Sequence, residues 1–314
     1  MKNETTLYML VLSGLSDLPS LQLPLFLVFL LVYLMTLTGN LLIVLLICSD
    51  SHLQTPMYFF LGTLACLDMS NSSVINPQIL FHLYTEKRLV SLEGCMAQIY
   101  FFLFFISSEL VLLAVMSYDR YVAICRPLHY TQIMHWKACV FLISGTLTFG
   151  MMFSLTNTLF LLELKFCSSS KPLQSFFCDL PQLLQVSCSD TFINEFLLLF
   201  CAVMFGGGSL FLTLYPYIII LNTILKIQTQ DTRSKAFSTC SSHLTVVFIF
   251  YGTSFFNYLD PNAKDSRAAS VFYAVLTPLL NPLIYSLRNQ DLKNSFKRAL
   301  HGLKIPQGGT QFNI

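Results

Sequence analysis

The sequence predicts an all-α membrane protein: a seven-transmembrane helix bundle with a short amphipathic helix at its C-terminal end. Three observations predict it. The chain is 54% hydrophobic and only 11% charged, with a mean hydropathy of +0.64, outside the balance of soluble domains. Seven apolar stretches follow one another, each near the ~20 residues that a helix needs to cross a bilayer. Basic residues are uneven between the two sets of loops: eleven on the side carrying the loops after the first, third and fifth stretches and the C-terminal tail, and seven on the other. By the positive-inside rule this places the N-terminus outside and the C-terminus in the cytoplasm. Residues 1–314 then form one seven-span domain, with 1–22 as the outer N-terminus and 289–314 as the inner tail.

In order along the chain, residues 1–22 hold only a short apolar run and no small-residue cleavage site, so the first long segment is expected to direct its own insertion. Asn3-Glu4-Thr5 is a glycosylation sequon on the outer side. The spans are expected at 23–48, 56–83, 95–125, 138–162, 193–227, 235–258 and 268–287. The second is the weakest by hydropathy, since it carries Asp68 and Pro77, and its sequon at Asn71 is expected to stay unmodified inside the membrane. Without it the number of spans would be even and both chain ends would lie on one side. The fifth contains Gly206-Gly207-Gly208 and Pro216, more helix breakers than a span normally carries. The seventh contains Pro278 and Pro282, each lacking a backbone donor, so it is expected to bend where Asn281 and Tyr285 project. From 289 to 301, Leu292, Phe296 and Leu300 recur at helical spacing among Lys293, Lys297 and Arg298, the pattern of a helix lying on a membrane surface. The tail beyond is expected to lack ordered structure, and neither an internal repeat nor a second domain is visible.

A net charge of +2 without a basic stripe excludes a nucleic-acid-binding face. No phosphate-binding loop, HExxH pair or nucleophile elbow is present, which argues against an enzyme. A transporter or channel would share the intramembrane carboxylates and proline-broken helices, but would be expected to show inverted repeats. Cys95, Cys167, Cys178 and Cys188 fall in or beside loops of one face, and the other six cysteines lie in helices or on the opposite face, as expected of one oxidising and one reducing side. Asp119 and Arg120 stand where the third span meets the cytoplasm, an expensive place for charge unless the two pair or serve a function. Asp68 and Glu109 lie in mid-span, where two carboxyls share a proton, hold a cation or form a hydrogen-bonded structural pair. Cys240 and His243 are three apart, but with no further ligand nearby they read as a small buried residue and a satisfied histidine rather than a metal site.

Five motifs occur in order: Gly39-Asn40, LQTPMYFFLG (53–62), MSYDRYVAICRPLHY (116–130), KAFSTCSSHLTVV (235–247) and NPLIYSLRN (281–289). Together they resemble the rhodopsin-like G-protein-coupled receptors and, within them, the olfactory receptors of the larger class associated with airborne odorants. The chain departs from other rhodopsin-like receptors in having Tyr251-Gly252 where a tryptophan and a proline stand on the sixth helix, which is common in the olfactory branch.

The resemblance implies that agonist binding moves the sixth helix away from the third. This opens a cytoplasmic cleft in which Arg120, Tyr217 and Tyr285, beside Asp119 and Tyr121, engage a stimulatory, olfactory-type G protein that raises cyclic AMP. It implies a sodium pocket at Asp68, Glu109 and Asn281. It implies bridges Cys95–Cys178 and Cys167–Cys188, although four cysteines allow three pairings and the sequence alone does not decide. It implies a plasma-membrane protein of olfactory cilia. Counting back from Arg120, Phe102, Leu103, Ile106 and Ser107 share one stripe of the third helix; Tyr251, Ser254, Phe255 and Tyr258 follow the same spacing on the sixth, and the fifth offers Cys201 and Phe205. By resemblance these line an odorant pocket between the third, fifth, sixth and seventh helices. They carry no charge, so an uncharged, largely apolar ligand is expected, oriented by one hydrogen bond from Ser107, Tyr251 or Tyr258.

Overall fold

The computed structural model describes residues 9–13, 18–85, 88–166, 173, 175–226, 229–259 and 271–304. Asn3, Cys167 and the tail beyond 304 lie outside the described residues, and so does the side chain of Tyr258. Seven long helical segments form a bundle: α1 (Pro19–Ser49), α2 (Pro56–Thr85), α3 (Leu92–Cys125), α4 (Trp136–Leu162), α5 (Phe192–Leu225), α6 (Gln230–Leu259) and α7 (residues 272–288). An eighth helix, α8 (Gln290–Lys304), follows directly. Four of the segments, α1, α3, α4 and α5, are long and apolar enough by themselves to cross a membrane. α7 is apolar but shorter, and α2 and α6 carry buried polar residues, including Asp68, Asn71, Ser72 and Asn76 on α2 and Ser242 and His243 on α6.

The glycines of α5 do not end it. Ala202–Gly207 adopts a π-helical turn and the helix runs on through Gly208 to Leu225. A membrane helix keeps its backbone groups bonded even through breakers, and a single wide turn of this kind often marks a functional site. A second π-helical segment, Phe272–Leu276, opens α7 ahead of Pro278.

α3 sits at the centre and packs against α2, α4, α5 and α6, while α1 packs against α2 and α7. The outward faces are apolar and exposed, as at Leu31, Phe141, Met152, Phe211 and Ile218, which is the surface expected against lipid hydrocarbon. Within the bundle, small and polar residues bring helices close. The buried face of α4 includes Thr146, Gly150, Ser154 and Asn157, and the Ser154 hydroxyl donates to the Tyr100 carbonyl of α3. Gly39 of α1 lies against Pro282 of α7. The next residue, Asn40, donates through its side-chain amide to the carbonyl of Pro278, one turn before Pro282, at 3.1 Å. That carbonyl is the one whose helical donor Pro282 lacks, so Asn40 supplies the missing hydrogen bond from another helix.

One end of the bundle carries a disulfide, Cys95–Cys178, with Cα atoms 5.3 Å apart. It ties the loop after α4 to the start of α3, and the Cys178 amide also donates to Gln98 Oε1 at 2.9 Å. Cys188 is disulfide-bonded as well. Two short strands, β1 (Met9–Val11) and β2 (Leu89–Ser91), pair antiparallel at this end, and Leu173 bonds β1 from its other side.

At the opposite end α8 is docked on the α1–α2 connection. The Tyr58 hydroxyl donates to Asn289 Oδ1 at 3.2 Å and to Asp291 Oδ2 at 3.1 Å, and Arg298 of α8 is ion-paired with Asp50. That pair, helped by Ser295 and the His52 amide, holds the Asp50 carboxyl well below the usual carboxylate range.

Candidate functional site

A cavity of about 130 Å³ opens among α3, α4, α5 and α6 in the half of the bundle nearer the disulfide. Its wall is formed by Leu103, Ile106, Ser107 and Leu110 of α3, Phe149 and Phe153 of α4, Leu198, Cys201, Ala202, Val203, Phe205 and Gly206 of α5, and Tyr251, Ser254 and Phe255 of α6. Eight of the residues singled out from the sequence are therefore brought together: Leu103, Ile106, Ser107, Cys201, Phe205, Tyr251, Ser254 and Phe255. Phe102 is not in this wall. It is fully buried, and its ring packs edge-on against Phe177 of the disulfide-tied loop, 5.5 Å between centroids. The expected seventh-helix contribution is replaced by α4, since no α7 residue lines the cavity among the described residues. The residues missed are Leu110 of α3, Phe149 and Phe153 of α4, and Leu198, Ala202, Val203 and Gly206 of α5; on helices this apolar, spacing alone does not separate a cavity wall from a lipid-facing stripe.

The few hydroxyls of the wall are already engaged. Ser107 donates to the Leu103 carbonyl at 2.6 Å and Ser254 to the Phe250 carbonyl at 2.7 Å. Tyr251 donates to Ser209 Oγ at 2.9 Å, and Ser209 donates in turn to the Gly206 carbonyl at 2.9 Å. This relay joins α6 to the π turn of α5. The hydroxyl oxygens keep lone pairs, so the cavity presents acceptors more readily than donors.

Deeper in the bundle, Asn281 Nδ2 donates to both oxygens of Asp68 at 3.0 Å. Asp68 and Glu109 interact electrostatically, and both are within 1% of full burial. Glu109 Oε1 and both side-chain polar atoms of Asn71 are buried with no hydrogen bond of ordinary geometry, although the two side chains lie close enough to interact. Unsatisfied groups at that depth cost free energy unless something fills the space between them. Oxygen donors of this type suit a small hard cation, whereas among the described residues no group of three or more His, Cys, Asp and Glu stands together. Asn281 meets Asp68 through its nitrogen, so it orients that carboxylate instead of offering an oxygen.

At the end opposite the disulfide, the buried Asp119 carboxylate accepts from Arg120 beside it and from the Tyr130 hydroxyl at 2.8 Å. Burial, reinforced by Asp119, keeps the Tyr130 phenol protonated far above its ordinary range. Tyr217 of α5 and His243 Nδ1 of α6 are hydrogen-bonded at 2.6 Å, while His243 Nε2 is buried without a partner. Around them, Ile220, Ile224 and Cys240 pack with Tyr121, Ile124 and Leu244, closing α3, α5 and α6 together. The Tyr285 hydroxyl is buried with no partner. This end is thus a closed cluster in which Arg120 is held by its neighbour.

Residues 29–302 match the family model described as "Olfactory receptor". The chain is 44% identical to human olfactory receptor 5B12, covering 98% of this chain and 99% of that protein. It is 47% identical to human olfactory receptor 5D18, covering 92% and 93% respectively. With mouse olfactory receptor 5G29 it shares 44%, over 98% of this chain and 99% of the relative. The matched length takes in every helix of the bundle, and the chain belongs to the olfactory receptor family.

Proposed function

We propose that the cavity among α3, α4, α5 and α6 binds small, uncharged, mostly apolar odorants, and that binding is relayed to the Arg120 end to activate a stimulatory, olfactory-type G protein and raise cyclic AMP. Family membership makes the chain a multi-pass odorant receptor and not an enzyme. The observation that carries the finer reading is the cavity wall, apolar but for Ser107, Tyr251 and Ser254 and free of charged residues. Affinity there comes from burial of apolar surface, about 25 cal/mol for each Å² removed from water. Because the hydroxyls already donate internally, an odorant carrying its own O–H has a better partner than a ketone or ester of the same shape.

The relay needs two states of similar energy and a ligand that prefers one. An odorant pressing on Tyr251 perturbs the Tyr251–Ser209–Gly206 chain, which shifts α6 relative to α5. The same two helices meet again at Tyr217–His243, so displacement of α6 would break that bond and release the packed cluster over Arg120. Asp68 and Glu109, with Asn71, would hold a sodium ion or share a proton, neutralising a charge pair that the bundle interior cannot otherwise tolerate. In the cell the N-terminus would face outward and the Arg120 end the cytoplasm, at the plasma membrane of olfactory cilia.

The test is cyclic AMP in cells expressing the chain and exposed to an odorant panel, with Arg120→Ala alongside. A response in the wild type that Arg120→Ala abolishes at equal surface expression is expected. A response retained by the variant would remove Arg120 from the mechanism.

A further inference from the structure

We infer that ligands enter the cavity sideways, from the bilayer, through a portal between α4 and α5 whose door is Phe205. This rests on the proposed reading of the cavity as the ligand site. Two of the cavity's lining residues belong also to the outer surface of the molecule: Val203 is 57% exposed and Phe205 39%. The wall on this side is one residue thick.

The reason lies in how α4 and α5 meet. α4 is drawn onto α3 by Gly150 and Ser154, and it packs against α5 mainly along Phe192–Cys201. Beyond Cys201 the π turn and three glycines follow, and nothing lies within 4 Å of where a Cβ would stand on Gly206, Gly207 or Gly208. The space that side chains would fill is open. What closes it is ring-edge contact, Phe205 against Phe149 at 5.2 Å and against Phe153 at 5.9 Å, both T-shaped. Turning one phenylalanine about its side-chain torsions is a fast, local motion.

The disulfide end offers a harder route. There Leu12, Leu173, Phe177 and Leu183 are almost wholly buried, and the loop that carries Phe177 is anchored by Cys95–Cys178 and by the β1 pairing. A ligand arriving that way must lift a packed, covalently tied layer. An uncharged apolar molecule concentrates in the hydrocarbon beside α4 and α5, where the Phe205 ring, packed on Phe149 and Phe153, stands in its path.

The experiment uses the full chain in membrane vesicles and a small uncharged aryl diazirine dissolved in the bilayer, photolysed and mapped by peptide sequencing. Ile106 and Tyr251 line the cavity but are 7% and 4% exposed, so label on them reports entry. The wild type is expected to be labelled at Ile106 and Tyr251 as well as at lipid-facing Phe200. Gly206→Leu, whose Cβ meets nothing within 4 Å, should lower the interior label several-fold and leave Phe200 labelled. Gly145→Leu, on α4 and equally without neighbours within 4 Å but outside the cavity wall, should change nothing.

Interior label that is insensitive to Gly206→Leu, or that rises on loosening the loop with Phe177→Ala while ignoring Gly206→Leu, would overturn the portal. Label on Phe200 with none inside would do so too. Photolabelling needs no odorant, so a receptor silent to the odorant panel and a closed portal are separate outcomes.

Discussion

Replacing Gly150 with alanine should destabilise the bundle through a contact that a methyl group alone creates. A Cβ at Gly150 would overlap Ser108 Oγ and stand 2.9 Å from the Phe104 carbonyl oxygen, where ordinary contact begins at 3.4 Å. Ser108 is not free to swing aside, because its hydroxyl is bonded to that same carbonyl at 2.7 Å. The carbonyl belongs to the backbone of α3, so α4 must retreat by about 0.5 Å to restore contact distance, and the Ser154–Tyr100 bond one turn away stretches with it. Overpacking of this kind costs about 1–3 kcal/mol, and an interhelical hydrogen bond in a membrane protein contributes ~0.6 kcal/mol on average. A total near 2 kcal/mol corresponds to a melting point lower by about 4–8 °C on the scale of domains of 150–250 residues. A thiol-reactive fluorophore reads this directly, since Cys139 is fully buried until the bundle opens. Ser108→Gly should recover part of the loss, as expected of residues in contact. A melting point unchanged in Gly150→Ala, or an unaltered deficit in the double variant, would refute the close α3–α4 packing.

Asn40→Ala leaves the Pro278 carbonyl without a donor and should cost ~1–2 kcal/mol, measured as a lower melting point; equal stability would mean that another group satisfies that carbonyl. The Asp50 carboxyl, held down by Arg298 first and then Ser295 and His52, contributes its docking energy above the ordinary carboxylate pKa of ~3.9 and loses it only as pH falls through its lower folded value. Backbone hydrogen exchange in α8, corrected for intrinsic rates, should therefore be flat from about pH 8 to pH 5, and Arg298→Glu should raise it at every pH in that window. Cys95→Ser frees the loop over the cavity; surface expression should fall, since losing a native bridge typically costs about 2–5 kcal/mol, and normal trafficking would argue that the loop is held by its packing alone.

Much of the bundle was legible because a bilayer imposes one length on every span, and the helices fall within a few residues of the apolar runs. Helix α6 begins at Gln230, a turn before the expected start, because its polar first turns continue the helix beyond the apolar segment. The β1–β2 pair was not legible: three-residue strands from distant parts of the chain meet only after the bundle brings them together. Gly206-Gly207-Gly208 read as a set of breakers, yet the backbone stays hydrogen-bonded and the helix widens into a π turn. Of the candidate site, the stripes on α3 and α6 were readable from helical spacing. The α4 wall was not, since Phe149 and Phe153 look like any lipid-facing aromatics until Gly150 between them shows how close α3 lies.

The central claim, that the cavity among α3, α4, α5 and α6 selects the odorant, is tested most directly at Ile106. Ile106→Phe places a larger side chain into a cavity of about 130 Å³ while leaving the helix surfaces around it unchanged. Dose–response curves over an odorant panel, read as cyclic AMP at matched surface expression, should show the larger agonists weakened or lost and smaller ones retained, a reordering of the profile and not a uniform loss. An odorant profile identical to wild type would contradict the claim and move the binding site elsewhere in the bundle.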